Sequence, residues 1–198
     1  MKQITALLLS AFASYVVQAM PIISGDGTET CSLPSSANCT VQKINPVNVY
    51  QSPDPLGQGA LWISYADTGR PGTVTATPGY VATFYEQFTA DLGAALDLQV
   101  WADNWVEIFL DGTSVFSTTG REMFRPGNQA VLNHVFNSGG AHTLAIDAYQ
   151  DGSLESPPGN PFGVMYSGSL TQVPEPTTLA LFSLGLAGIG YQRRKRTA

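Results

Sequence analysis

The chain has 198 residues, 43% hydrophobic and 12% charged, with a formal net charge of −6 at pH 7. Setting the two apolar termini aside leaves about 150 residues, enough for one domain with a real core. The acidic balance argues against nucleic acid and anionic lipid as partners.

Residues 1–19 carry one cation, Lys2, then an apolar run from Ile4 to Val17, with small side chains at Val17 and Ala19. This order reads as a secretory signal peptide cleaved after Ala19. The other reading is a retained N-terminal anchor. Between residues 20 and 174 four cations (Lys43, Arg70, Arg121, Arg125) face fourteen carboxylates, a net of −10. The exported part is thus more acidic than the whole chain. That suits a soluble surface protein, or one that meets neutral sugars or divalent cations.

Residues 20–58 read as a loop-rich arm, with short strand candidates at 41–44 and 47–50. Cys31 and Cys39 lie in a Ser/Pro/Asn-rich stretch of it. In an oxidising compartment they are expected to form one local disulfide. Residues 59–172 change character. Apolar, β-branched and aromatic runs at 60–66, 73–77, 80–89, 96–102, 105–110, 114–118, 130–136, 142–149 and 163–171 alternate with Gly, Pro, Asp and Asn turns. Spacing of roughly ten residues predicts an all-β sandwich or barrel, and Asp91–Leu96 allows one helical turn. Period 2 puts Leu96, Leu98 and Val100 on one face of their strand, and Val106, Ile108 and Leu110 on one face of the next. Leu144, Ile146 and Ala148 likewise oppose Thr143, Asp147 and Tyr149. Asp111-Gly112 marks a tight hairpin turn.

The chain closes with Val173-Pro174-Glu175-Pro176, the uncharged residues 177–191, and the cluster Arg193, Arg194, Lys195, Arg196. The prolines keep the first part extended. The apolar part predicts a short membrane span, below the ~20 residues of a comfortable helix. The basic cluster holds that end in the cytoplasm. This three-part order resembles the PEP-CTERM sorting signal of Gram-negative bacteria, with Val173, Pro174, Glu175 and Pro176 on its recognition motif. The alternative is an ordinary tail anchor behind a Pro-rich linker. The resemblance implies processing by exosortase after passage through the Sec export machinery. An inner-membrane anchored intermediate then gives way to delivery to the cell surface or extracellular matrix.

Residues 101–112 (WADNWVEIFLDG), with 136–152 and 161–170, resemble the jelly-roll, galactose-binding-like ectodomains common in PEP-CTERM proteins. That resemblance implies a jelly-roll-type β-sandwich, with Asp111 standing where Asn is usual and Trp105 where a small or polar residue is usual. It also implies a structural calcium in many relatives; Asp103, Asp111, Asp147 and Asp151 are the candidate donors, though no linear calcium loop is present.

For catalysis nothing stands out. His134 and His142 are the only histidines and neither sits in a nucleophile motif, so no enzyme and no catalytic residue is expected. For binding, Trp101, Asp103, Asn104 and Trp105, with Glu107 and Phe109, are the best constellation. Planar rings beside hydroxyl-binding groups suit a sugar. The competing reading is that the arm covers these rings as packing. The expected role is structural or adhesive and non-enzymatic, associated with exopolysaccharide. A carbohydrate-binding module is the alternative and a hydrolase the remote one.

Overall fold

The computed structural model describes residues 19–45, 54–69, 72–74, 76, 78–118, 122–151, 161–173 and 185. The signal peptide up to residue 18, the strand expected at 47–50, the span at 177–191 and the basic cluster lie outside them, residue 185 apart. No helix among the described residues is long and apolar enough to cross a membrane.

Residues 19–173 form one compact unit, whose described residues contain twelve strands and both apolar clusters described below. The strands are β1 (Ala19–Ile23), β2 (Thr30–Leu33), β3 (Ser36–Cys39), β4 (Gln42–Lys43), β5 (Ile63–Ser64) and β6 (Gly79–Ala90). They continue as β7 (Ala95–Asp103), β8 (Trp105–Leu110), β9 (Thr113–Ser117), β10 (Ala130–Val135), β11 (Gly140–Gln150) and β12 (Gly163–Thr171). Two antiparallel sheets result. Sheet I runs β10-β7-β12-β5-β4, with β1 also paired to β12, and sheet II runs β3-β2-β6-β11-β8-β9. This is the expected jelly-roll-type β-sandwich.

Alternation explains the layering. Leu96, Leu98, Val100 and Ala102 of β7 point into the sandwich, facing Val106, Ile108, Leu144 and Ile146 from sheet II, and all are buried. Each fully buried aliphatic chain contributes about 1.5–3 kcal/mol relative to exposure. Asp111 and Gly112 turn β8 into β9 with φ of 51° and 77°. Positive φ at both central residues is the hairpin turn whose twist matches the strands.

The arm differs from expectation. Its residues 19–43 supply four strands, split between the two sheets. β1 runs beside β12 from Ala19 opposite Thr171 to Ile23 opposite Ser167. Cys31 and Cys39 sit opposite each other in the β2–β3 hairpin, Cα atoms 5.1 Å apart, and form the disulfide. Residues 73, 74 and 76 are not in a strand, and residues 91–94 form a turn rather than a helical one.

A second apolar cluster lies outside sheet I. Ile44, Ala60, Trp62, Phe124 and Met165 close over Trp101, with Ile23 beside them. Here the N-terminal segments cover one outer face of the sandwich.

Candidate functional site

Trp101 and Trp105 are four residues apart, yet they lie on opposite sides of the molecule. Trp101 lies two residues before the end of β7 in sheet I and points outward under the second cluster, fully buried. Asn104 carries the chain across to sheet II, where Trp105 begins β8 and points outward on the other side. The expectation that these residues form one constellation, which needs both rings on one face, is therefore corrected: period 2 assigns sides within a strand, and these strands belong to different sheets. Asp103 is buried with a partner of its own. Asn104 is spent on the crossing. Its amide donates to the Tyr149 carbonyl (2.8 Å), its carbonyl accepts from the Met123 amide (3.1 Å), and its side-chain oxygen accepts from the Asp151 amide (2.6 Å). Of the four expected residues, Asn104 and Trp105 are half-buried, and Trp105 is the one ring left at the surface.

Trp105 has partners that period alone did not bring to it. β11 places Tyr149 directly opposite, with ring centroids 5.3 Å apart and planes within 5°. Parallel rings in contact are about 3.5 Å apart in the normal direction, so this separation implies a lateral offset of about 4 Å and leaves part of each facing ring uncovered. Tyr80 joins from β6, 5.7 Å from Tyr149. Strict alternation would send Tyr80 inward with Ala82 and Phe84. A bulge at Val81 shifts the register so that Tyr149 faces Tyr80 while Ala148 faces Ala82, and the bulge turns the ring outward.

Beside this aromatic row runs a polar one. Glu107 of β8 is opposite Asp147 of β11, which is opposite Thr83 of β6, which is opposite Ser32 of β2. Thr83 donates its single hydroxyl proton to Asp147 Oδ1 (2.5 Å). The Tyr80 hydroxyl, 2.6 Å from Thr83 Oγ1, is then the donor in that contact. Ser114 donates to Glu107 (2.9 Å). Burial pushes the Asp147 carboxyl up, against the Thr83 hydrogen bond, and the facing Glu107 charge adds to the rise. Burial and the same two carboxylates also raise Tyr149. No cation neutralises Glu107 or Asp147 among the described residues. The face therefore offers ring surface for C–H bonds next to strong acceptors for hydroxyl groups.

Other candidates are committed elsewhere. His142 points into the sandwich against Phe88 and Phe136, with Nδ1 2.6 Å from Asp111 Oδ2. Asp111 also accepts from the Thr143 amide; the His142 hydrogen bond holds its carboxyl below the usual range against a smaller desolvation effect. For a cation, Asp103, Asp111, Asp147 and Asp151 do not form a group. The carboxylates that converge are Asp26, Glu29 and Glu86, with ligand oxygens within 4.8 Å of one another. They could hold a hard cation such as calcium. Thr28 and Tyr166 donate to Glu86 there, and the Gly25 and Gly27 amides to Glu29. Of the sorting motif, Val173 is described; Pro174, Glu175 and Pro176 lie outside the described residues, as do Arg193, Arg194, Lys195 and Arg196.

Residues 172–196 match the PEP-CTERM protein-sorting motif. That motif implies exosortase processing, with export and a membrane-anchored intermediate before surface localisation. No curated protein matches the chain. Among solved structures, the chain is similar to a family 35 carbohydrate binding module from Clostridium thermocellum, at 12% identity and a TM-score of 0.41 over 78% of this chain and 99% of that one. It is similar to a family 35 module from Paenibacillus barcinonensis at 12% and 0.38, over 78% and 99%. It also resembles the exo-beta-1,3-galactanase of Phanerochaete chrysosporium at 12% and 0.40, over 78% of this chain and 29% of that enzyme.

Proposed function

We propose that the sandwich is a non-enzymatic, glycan-binding cargo of its sorting signal. It is exported by the Sec machinery, held in the inner membrane of a Gram-negative cell, and released or displayed by exosortase as a structural or adhesive component of the exopolysaccharide layer. One observation carries the binding reading. Two of the three tryptophans, Trp62 and Trp101, are buried, whereas Trp105 stands half-open against Tyr149, beside two unneutralised carboxylates. A sugar ring set on the Trp105 step exchanges C–H contacts with the indole and donates hydroxyl protons to Glu107 and Asp147. A non-enzymatic role is favoured by the chemistry of the one His–carboxylate pair among the described residues: its His142 is closed under Phe88 and Phe136.

Affinity electrophoresis through gels containing neutral polysaccharide tests this. The wild-type domain is retarded and Trp105→Ala is retarded much less. Equal retardation of the two overturns the assignment of the face. For the sorting route, mass spectrometry of the mature protein from an exosortase-positive strain shows loss of residues 177–198; a mature chain that keeps them refutes the processing.

A further inference from the structure

The opposite face of the sandwich carries a concavity. A groove of about 290 Å³ lies on the outer side of sheet I, below the Trp101 cluster. Its floor is one polar row across three strands: Asn133 of β10 is opposite Asp97 of β7, and Asp97 is opposite Ser169 of β12. Asp97 and Asn133 are exposed, and their side chains hold no hydrogen-bond partner among the described residues. Aliphatic walls rise on either side, Val131 at 54% exposure and Leu56 at 42%.

The rim is built. The Asp54 carboxylate accepts from the amides of Leu56 (3.0 Å), Gln58 (2.8 Å), Gly59 (3.0 Å) and Ala60 (3.2 Å). Desolvation is the largest single effect and raises the Asp54 carboxyl, but the hydrogen bonds from Leu56, Ser167, Ala60 and Gln58 together outweigh it and keep the group below its usual range. The loop that carries Leu56 and Gln58 to the groove is thus tied together by the Asp54 carboxylate, with Ala60 at its end packed into the Trp101 cluster. Gln58 is tied back to the sheet by the Ser167 hydroxyl (3.3 Å).

We propose that this groove is a second glycan site, taking one neutral sugar residue, and that the sandwich cross-links two glycan chains, one on each face. The inference rests on the reading of the Trp105 face as the first site. The volume is at the lower end of the ~300–1,000 Å³ of small-molecule pockets, which suits one ring. Asn133 supplies a donor and an acceptor, Asp97 an acceptor and Ser169 both, about 4.8 Å apart from strand to strand, so that they address different hydroxyls around one ring. Leu56 and Val131 cover the C–H edges. Packed sheets are about 10 Å apart, and the two sites face away from each other. A single chain reaches both only by wrapping an edge of the sandwich, so occupation of both faces joins separate chains.

The test uses residues 20–173, which contain all the strands but the first residue of β1 and both clusters, checked as a monomer by gel filtration. The probes are xylan, laminarin and a β-linked galactan. A polysaccharide that retards the domain also gives growing light scattering, which falls again at excess protein. The double variant Asp97→Ala/Asn133→Ala removes two exposed, unbonded side chains. It abolishes the scattering and weakens retardation by about tenfold or more through lost avidity. Its binding to short oligosaccharides of the same polymer, read at Trp105 by fluorescence, stays as in wild type. Scattering equal to wild type in the double variant overturns the second site and leaves the first standing. No retardation of the wild type by any probe overturns the Trp105 reading and the inference with it.

Discussion

Replacing Trp101 and Trp105 by alanine, one at a time, separates a packing tryptophan from a surface one. Trp101 is fully buried among Ile44, Ala60, Trp62, Phe124 and Met165. Truncating a buried Trp to Ala costs about 3–5 kcal/mol, because transfer and cavity terms add. At ~2–4 °C per kcal/mol for a domain of this size, the melting temperature falls by about 6–20 °C. Trp105 is half-buried and keeps one ring face toward Tyr149, so its truncation costs about 1–2 kcal/mol from lost apolar area. Trp101→Phe is milder still. Its indole nitrogen is buried without a partner, and removing an unsatisfied donor recovers about 1–3 kcal/mol against a small new cavity. Thermal melts followed by circular dichroism on residues 20–173 give the ranking. Trp101→Ala destabilises most and retains glycan retardation; Trp105→Ala destabilises less and loses most of it. A larger loss of stability at Trp105 than at Trp101 refutes the assignment of these rings to opposite faces.

Three further outcomes follow from the same structure. The Cys31–Cys39 bridge closes a loop of eight residues' separation, so Cys31→Ser/Cys39→Ser lowers stability in urea by roughly 2.5 kcal/mol on the chain-entropy estimate. Asp147 has a raised carboxyl pKa, so the folded state holds its proton to higher pH than the unfolded state; its contribution to stability is present below pH ~4 and lost as pH rises through the folded value. Asp147→Asn therefore stabilises by up to about 1 kcal/mol at pH 7, where Glu107 faces a charge, and by nothing measurable at pH 3. Asp111 is the opposite case: its depressed pKa adds stability above pH ~4 that disappears as pH falls through the folded value. Asp111→Asn, which the positive φ accepts, shallows the acid limb of a stability-against-pH curve below pH 4.

Most of the sandwich was legible where strands alternate over a buried face. Residues 105–110 and 163–171 are strands with the bounds that pattern assigned, and Leu96, Leu98 and Val100 point inward as expected. The arm was less legible because its strands have two to five residues, too short for a period, and exist through pairing with β5, β6 and β12 far along the chain. The binding face was legible only at Trp105. Tyr149 was on the polar side of its strand, but nothing local says that β11 pairs with β8 in the register that stacks the two rings. Tyr80 depends on a one-residue bulge, which leaves no mark on composition. For Trp101 the packing reading is the one the structure shows, with Ile44 and Ile23 of the arm in the cluster around it; the sequence left both readings open because a strand's period records two sides, and burial under a neighbouring loop looks the same in sequence as exposure. Asp26, Glu29 and Glu86 are brought together by the β2–β6 pairing and could not be grouped from their positions.

Trp105 is the one tryptophan of three with access to solvent, so the indole fluorescence of residues 20–173 that acrylamide can quench belongs to the proposed site. A neutral polysaccharide that retards the domain is expected to shift that emission to the blue and to remove the quenchable fraction, and Trp105→Phe is expected to lack that fraction from the start. Retardation by the polysaccharide with acrylamide quenching unchanged would contradict glycan binding at this face.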